Sequence, residues 1–212
     1  MEGLQPDLEG EAELGPGQLL SENLLRRVLR SCGRGARVFR GCRLVPPEAI
    51  SIGDFCQIDE GVMIFAGEGV VLGRHVHMAF GSSISGGGWC EIGDFAGIGA
   101  GVRLITGTEV IDGSGLTNPT IPASYRAVHR GRVVIGAHAV VFTNAVVLPD
   151  VVVGEGAIVA AGSVVHRDLK PWCVYAGNPI VQVGTRPAEK VIELARRLVE
   201  SESRESSASS AE

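Results

Sequence analysis

Aliphatic residues recur every six positions along most of this chain, and this period constrains the fold more than any other feature. The longest uninterrupted run is Ile135, Val141, Val147, Val153, Val159 and Val165. Shorter runs with the same step start at Ile52, Leu72 and Ile92. A step of six matches neither the period of about 3.6 residues of an α-helix nor the alternation of an ordinary β-strand. It is typical of a triangular coil in which three short strands and three turns use about 18 residues.

We therefore predict an all-β fold, a left-handed parallel β-helix of about six coils. One aliphatic side chain in each hexad points inward, and each coil buries apolar surface only against its neighbours. Small residues two positions earlier, such as Ala139, Ala145 and Ala157, fill the narrow interior corners. The composition agrees with many small packing layers, since aromatic residues make up only 5% and glycine reaches 30 residues.

The places where the period slips indicate insertions at turns. Two extra residues separate Ile64 from Leu72, and two more separate Ile84 from Ile92. Between Val110 and Ile135, 25 residues replace the usual six. This segment predicts a long inserted loop over residues 110–134, and long ordered loops on rigid scaffolds often carry function.

The remaining segments flank a single domain. We predict the β-helix over residues 34–185, preceded by a helix over 19–33 for which Ser21 is a candidate N-cap. A second helix is predicted over 186–200, beginning near Pro187. Residues 1–18 and 201–212 have the polar composition of disordered tails.

Charge, hydropathy and cysteine spacing exclude several classes of function. The net charge of −5 gives no electrostatic support for nucleic-acid binding. No apolar stretch approaches the roughly 18–20 residues needed for membrane insertion, and the acidic N-terminus lacks a secretory pattern, so a cytoplasmic location is predicted. The five cysteines lie far apart without metal-ligand spacing, so we expect buried small residues and no metal.

Three further motifs accompany the hexads: HVHMAFGSSISGGGWCEIGDF, LTNPTIPASYR and the closing AGNPI at residues 176–180. With them, residues 38–185 resemble the hexapeptide-repeat acyltransferases, and within that group the galactoside, maltose and lipopolysaccharide O-acetyltransferases. The resemblance implies transfer of an acetyl group from acetyl-CoA to a hydroxyl, or an amine, of a small carbohydrate acceptor such as a polysaccharide precursor. It also implies a homotrimer that binds coenzyme A in a groove between neighbouring β-helices.

Direct transfer from a thioester requires a general base for the acceptor proton, and three residues are candidates. His77 precedes the inward Met78 and, by the resemblance, maps to a cleft position near the acceptor. His129, at the end of the long loop, also maps near the acceptor. Glu109 falls where the galactoside enzyme carries its catalytic histidine, so a carboxylate acts there as base or orients a nearby histidine.

The resemblance also assigns residues to the two substrates. Those implied to bind acetyl-CoA are Thr143, Ala161, Gly162, His166, Arg167, Lys170 and Arg186. The small ones map to the pantetheine arm, and the basic ones are candidates for the ribose phosphate and pyrophosphate. In the long loop, Asn118, Tyr125 and Arg126 are candidates for hydrogen bonds to the acceptor, although polar loop residues equally often satisfy their own turns.

Two alternative functions remain open at this point. A γ-class carbonic anhydrase shares the coil but requires three histidines that converge on zinc, and only His75 and His77 lie close together in sequence. A non-catalytic β-helix, used as a scaffold or assembly subunit, is the second alternative because Glu109 replaces the expected histidine. Coenzyme A binding distinguishes the scaffold from the enzyme.

Overall fold

The chain forms a solenoid of triangular coils whose three faces are parallel β-sheets. A computed structural model describes residues 18–209. The predicted all-β helix of stacked coils is confirmed, with about seven turns rather than six. Residues 1–17 and 210–212, parts of the two predicted tails, lie outside the described residues.

Each face is built from one short strand per coil. The first face contains β1 (Ser31–Cys32), β4 (Ile50–Ile52), β7 (Gly69–Leu72), β10 (Trp89–Ile92), β15 (Arg132–Ile135) and β18 (Val152–Val153). The second contains β2 (Arg37–Val38), β5 (Gln57–Ile58), β8 (His77–Met78), β11 (Gly97–Ile98), β16 (Val140–Val141), β19 (Ile158–Val159) and β21 (Cys173–Ala176), with β22 (Val181–Thr185) antiparallel at its edge. The third contains β3 (Arg43–Val45), β6 (Met63–Phe65), β9 (Ser83–Ser85), β12 (Arg103–Ile105), β17 (Val146–Val147) and β20 (Val164–Val165).

The inward hexad residues stack in columns, as the sequence predicted. Along the first face, Ile52, Leu72, Ile92, Ile135 and Val153 are successive partners in the strand register. All five are at most 2% exposed. Burying such a side chain contributes about 1.5–3 kcal/mol, so the columns account for much of the stability of the solenoid.

The extra residues of the early coils lie at one corner of the triangle. The strand register advances by 20 residues from Ser31 to Ser51, but by 18 from Val134 to Val152. The added residues lie at the corner between the third and first faces, which we call the third–first corner. The long loop leaves the same corner as an antiparallel ribbon of β13 (Gly107–Glu109) and β14 (Val128–Arg130). We refer to residues 107–130 as the hairpin arm.

Two helices flank the solenoid. Helix α1 spans Glu22–Val28, and the Ser21 hydroxyl accepts a hydrogen bond from the Leu24 amide, so the predicted N-cap is confirmed. Helix α2 spans Glu189–Ser209 and continues nine residues past the predicted end at residue 200. The predicted disorder of residues 201–209 is therefore wrong. A tertiary contact explains the difference, because Glu202 bonds the guanidinium of Arg74 at 3.1 Å.

A ladder of stacked rings follows the corner between the first and second faces. Its rungs are Phe55, His75, Phe95, His138 and Trp172, each from a turn with positive φ. Neighbouring ring centroids lie 5.0 to 6.1 Å apart. Guanidinium groups cover its two ends, Arg34 over Phe55 and Arg186 over Trp172. The carboxylate of Glu202 on α2 bonds the ring of His75 at 2.6 Å, which ties the helix to the ladder.

The ladder makes part of the stability depend on pH. Burial lowers the pKa of His138 in the folded chain, with Arg186 adding to this effect and the carboxylates of Glu155 and Asp94 opposing it. The unfolded chain therefore binds a proton at this position more readily, and stability falls as pH drops below about 6.5. We expect the melting temperature of the wild type to fall more steeply from pH 7.5 to 5.5 than that of His138→Asn, a residue that also tolerates positive φ. Equal slopes would contradict this role of His138.

Glycine is required where the bulge of one coil meets the root of the hairpin arm. A Cβ at Gly88 would lie 2.1 Å from the carbonyl oxygen of Gly131 and 2.4 Å from that of Thr106. Because both are backbone atoms, we expect Gly88→Ala to lower the free energy of unfolding by about 1–3 kcal/mol in urea titrations. The matched control is Gly97→Ala, whose Cβ would meet only Val140 methyl groups at 3.7 Å or more. Equal stability of the two variants would contradict the close approach.

Candidate active site

A cleft opens beside the hairpin arm where it leaves the solenoid. Its volume is about 340 Å³, and it is lined by Gly86, Gly107, Thr108, Glu109, Arg126, Val128 and Arg130. The root of the arm is held by Thr106, which is fully buried. Its hydroxyl donates to the Ser85 carbonyl and accepts from the Gly88 amide, both at 3.0 Å. The cleft therefore has a rigid base, as a site on a loop requires.

An ion pair between Glu109 and Arg126 forms one wall of this cleft. The guanidinium of Arg126 contacts Oε1 of Glu109, and the two side chains are only 18% and 20% exposed. The other carboxylate oxygen, Oε2, and the Nε of Arg126 are buried without a hydrogen-bond partner. A buried polar atom without a partner is costly, and a ligand could bond to either of these atoms only after a movement of the side chains that form the wall.

His129 lies on the same arm but bonds to the next coil. In the ribbon, Thr108 is opposite His129, and Glu109 is opposite Val128. Nε2 of His129 lies 2.5 Å from Oδ2 of Asp150, and both side chains are about half exposed. The hydrogen bond from His129 lowers the pKa of Asp150, and the bond from the Arg132 amide adds to this effect. A carboxylate that holds one ring nitrogen leaves the other nitrogen to accept a proton.

His77 is held in the same manner at a different place. It lies on β8, and its Nε2 is 3.0 Å from Oδ2 of Asp59. The other Asp59 oxygen accepts a hydrogen bond of 2.8 Å from the side-chain amide of Gln57. The turn that contains Asp59 lies at the corner between the second and third faces, which we call the second–third corner. Within one chain, Glu109 and His129 thus lie together on the hairpin arm, whereas His77 lies on the second face.

The small residues implied to bind the pantetheine arm share the second–third corner. Thr143, Ala161 and Gly162 are exposed in two stacked turns, and the Gly162 amide bonds the Thr143 carbonyl at 2.9 Å. Gly162 has a φ of 69°, and no atom lies within 4 Å of a Cβ added there. The turns thus present open backbone to a ligand, and their contact with coenzyme A stays a prediction.

The basic residues assigned to the phosphates bind separate parts of the last coils. Arg167 donates to the Ile180 carbonyl at 3.1 Å, whereas Arg186 donates to the His138 carbonyl at 2.8 Å and lies over the Trp172 ring. His166 and Lys170 are exposed on the surface of the last coils. The phosphate-binding cluster stays a prediction, and Arg186 has a structural role in the ladder.

The three loop residues assigned to the acceptor differ in their environment. Asn118 satisfies its own turn, because its Oδ1 accepts from both the amide and the hydroxyl of Thr120 at 3.0 Å. Tyr125 is 65% exposed in a short 3₁₀ turn. Arg126 is held by Glu109. Of the three, Arg126 is the one that lines the cleft, and the acceptor contacts stay predictions.

Sequence reasoning missed the two carboxylates that hold the histidines. Asp59 lies 18 residues before His77, and Asp150 lies 21 residues after His129. Both separations are close to one coil, so a search for acidic residues one coil from each histidine would have found them.

Possible metal-binding groups and membrane-spanning helices were sought in the part of the chain that the structure describes. Between residues 18 and 209, no three His, Cys, Asp or Glu side chains group in a way that would hold a metal ion. His75 and His77 bond to Glu202 and Asp59 respectively, so they do not converge. Neither described helix is long and apolar enough to cross a membrane.

Comparison with known proteins identifies the family. Residues 132–167 match the model of the bacterial transferase hexapeptide, six repeats. The dTDP-4-amino-4,6-dideoxy-D-glucose acyltransferase of Escherichia coli is 36% identical over 157 residues, which cover 74% of this chain and 79% of that enzyme. The chain belongs to the hexapeptide-repeat acyltransferases. The predicted family is thereby confirmed, and the non-catalytic scaffold loses its support.

Solved structures agree with this assignment. The N-acyltransferase AntD from Bacillus cereus, as a serine-to-cysteine mutant with dTDP-4-amino-4,6-dideoxyglucose and coenzyme A, superimposes with a TM-score of 0.82. It is 28% identical, and the match covers 88% of this chain and 100% of AntD. A maltose O-acetyltransferase from Clostridium difficile shares the fold, with a TM-score of 0.55 and 20% identity over 79% of this chain and 75% of that one. The acyltransferase is CoA-dependent, as the resemblance implied.

The ion pair in the cleft yields a test of the wall that it forms. Arg126→Met would leave the partly buried Glu109 carboxylate without its partner, and we expect the free energy of unfolding in urea to fall by about 1–3 kcal/mol. Arg132→Met breaks a pair with Glu91 whose side chains are 60% and 43% exposed, and it should cost at most about 0.5 kcal/mol. Equal losses would show that the Arg126 pair is not a structural element of the arm.

Proposed function

We propose that this acyltransferase acylates the amino group of a nucleotide-linked amino sugar, with a dTDP-linked 4-amino-4,6-dideoxyhexose as the preferred acceptor. The support is twofold. The relative at 36% identity is named for such an acceptor, and AntD has been solved with one. The O-acetyl transfer expected from the sequence motifs becomes the secondary activity in this proposal.

The observation that carries the proposal is the Glu109 carboxylate in the wall of the cleft beside the hairpin arm, whose buried Oε2 has no hydrogen-bond partner. A carboxylate oxygen accepts a hydrogen bond from the N–H of a neutral amine and leaves the nitrogen lone pair free. Arg126 fixes the orientation of this carboxylate, so it is held in place before the acceptor arrives. We assign Glu109 to the acceptor amine, rather than His77 or His129.

The proposed reaction is direct transfer. The amine nitrogen attacks the thioester carbonyl carbon, a C–N bond forms, and the C–S bond of the acyl-CoA breaks. Glu109 accepts the proton that the nitrogen loses, and the departing thiolate takes up that proton to become free coenzyme A. Holding both reactants in one groove supplies much of the rate increase.

The proposal requires two chains for each site. Glu109 lies at the third–first corner, whereas the turns predicted to bind coenzyme A lie at the second–third corner. In the predicted homotrimer, the arm of one chain faces the second–third corner of its neighbour. Exposed apolar side chains on the third face, Val45, Met63 and Phe65, favour such packing. A trimer in light scattering is expected, and a monomer active at the same specific rate would contradict this arrangement. A cytoplasmic location stays part of the proposal.

Turnover is tested by following thiol release from acetyl-CoA and from 3-hydroxybutyryl-CoA, the acyl donor bound in one AntD structure. We expect release with a dTDP-4-amino sugar and much less with the matching 4-hydroxy sugar. Glu109→Gln keeps an acceptor for Arg126 but loses the carboxylate, so kcat should fall by about 10²-fold or more. His77→Ala should leave kcat within a few-fold of the wild type.

The control for this experiment is Glu91→Gln, the same substitution in an exposed ion pair. It should retain full turnover, and the melting temperatures of all variants establish that they fold. Loss of turnover in His77→Ala together with an active Glu109→Gln would assign the base to His77 and overturn the proposed role of Glu109. Turnover with the hydroxy sugar alone would overturn the amine acceptor.

A further inference from the structure

A second groove lies on the second–third corner, at the opposite end from the turns predicted to bind coenzyme A. It has a volume of about 210 Å³ and is lined by Phe39, Asp59, Glu60 and Phe80. We infer that this groove binds the base of the nucleotide-linked acceptor, and that it selects a pyrimidine with an imide N–H such as thymine or uracil. This inference rests on the proposed function and names the part of the chain that holds the nucleotide.

The two phenylalanines belong to turns that are two coils apart. Val38, Ile58 and Met78 are successive partners in the register, so the turns that follow them stack in order. Adjacent strands in a sheet are about 4.8 Å apart, which places these two turns nearly 10 Å apart along the corner. The intervening turn contributes Asp59 and Glu60. A flat ring fits between two such aromatic groups, because stacking contacts need only about half of that spacing on each side.

Phe80 is the most accessible aromatic ring of the groove, at 66% exposed. Phe39 is half-buried, and the guanidinium of Arg37 lies over its ring, 5.8 Å from the ring centroid. An exposed phenyl ring at a turn contributes nothing to the core, and aromatic platforms of this kind bind nucleobases by stacking in many proteins.

The two carboxylates of the groove differ in whether their oxygens already have hydrogen-bond partners. Both oxygens of Asp59 are engaged, one by Gln57 and the other by His77. Glu60 makes no hydrogen bond or ion pair with any residue that the structure describes, and it is exposed. It is therefore the available acceptor at the edge of the groove.

This arrangement complements an imide. The N3–H of thymine or uracil donates a hydrogen bond, which the Glu60 carboxylate accepts. Cytosine presents an unprotonated N3 at that position, and its lone pair faces the negative charge. The same charge repels a diphosphate, so the phosphates must extend away from Glu60, along the corner.

The spacing along the corner fits the two substrates. The groove occupies the first three coils, and the turns of Thr143 and Gly162 belong to the fifth and sixth. Three coils separate the middle of the groove from the first of these turns, which is about 14 Å at the usual strand spacing. A diphosphate and a hexose fit in that interval, so the acceptor amine and the thioester approach from opposite ends.

The test measures binding of dTDP to the full-length protein by calorimetry, without any acyl donor. We expect Phe80→Ala to weaken the binding of dTDP roughly 10-fold or more, because the thymine base loses the aromatic ring on which it stacks. The matched control is Phe142→Ala, an exposed phenylalanine at the same corner but in the fifth coil, which should bind dTDP as the wild type does. Binding of coenzyme A by Phe80→Ala should equal that of the wild type and serves as the folding control.

The role of Glu60 is tested by base selectivity. The wild type should bind dTDP more tightly than dCDP, and Glu60→Gln should reduce that preference several-fold, because its amide can face either base. Unchanged dTDP affinity in both Phe80→Ala and Glu60→Gln would overturn the nucleobase site, while turnover with the dTDP-amino sugar would leave the proposed function standing. Tight dTDP binding with no turnover would instead overturn the proposed function and retain the site.

Discussion

The stacking of each coil on the next, through backbone hydrogen bonds, is the interaction on which the rest of the structure depends. The amides of Gly53, Gly73 and Gly93 each donate to the carbonyl of the coil above, at 2.7 to 2.9 Å. Because these bonds run along all three faces, an insertion within a strand would break the hydrogen bonds between coils. Insertions are tolerated at corners, and the 20-residue coils and the hairpin arm follow this rule.

The corners therefore differ in structure, and the proposed function places the chemistry at two of them. The first–second corner is filled by the ring ladder and covered by α2, which makes it structural. The second–third corner is open, with bare backbone near Gly162 and the aromatic groove near Phe80. The third–first corner projects the arm that carries Glu109. The proposed substrate groove uses the last two corners and needs a second copy of the chain, so in that proposal activity requires assembly.

The sequence predicted what depends on local pattern and missed what depends on contacts between coils. The inward residues, the Ser21 cap and the bulged turns follow from short-range sequence patterns, and they were correctly placed except for Val110, which continues the hexad period but lies on the hairpin arm. The pairing of Glu109 with Arg126 depends on how the arm folds back, which no period reports. The length of α2 was missed for a similar reason, since Glu202 reaches a carboxylate-binding pair, Arg74 and His75, more than 120 residues away. A tail that looks polar enough for disorder is helical because the solenoid binds it.

The replacement of a histidine by Glu109 is easier to understand for an amine acceptor than for a hydroxyl. A sugar hydroxyl is a poor nucleophile until a base removes its proton, and histidine is suited to that task near neutral pH. A neutral amine already has a lone pair and attacks before it loses a proton. What it needs is orientation and a place for the proton afterwards, and in the proposed mechanism a carboxylate fixed by Arg126 provides both. In the proposed function, the glutamate that stands in place of the expected histidine is thus the residue assigned to the acceptor amine.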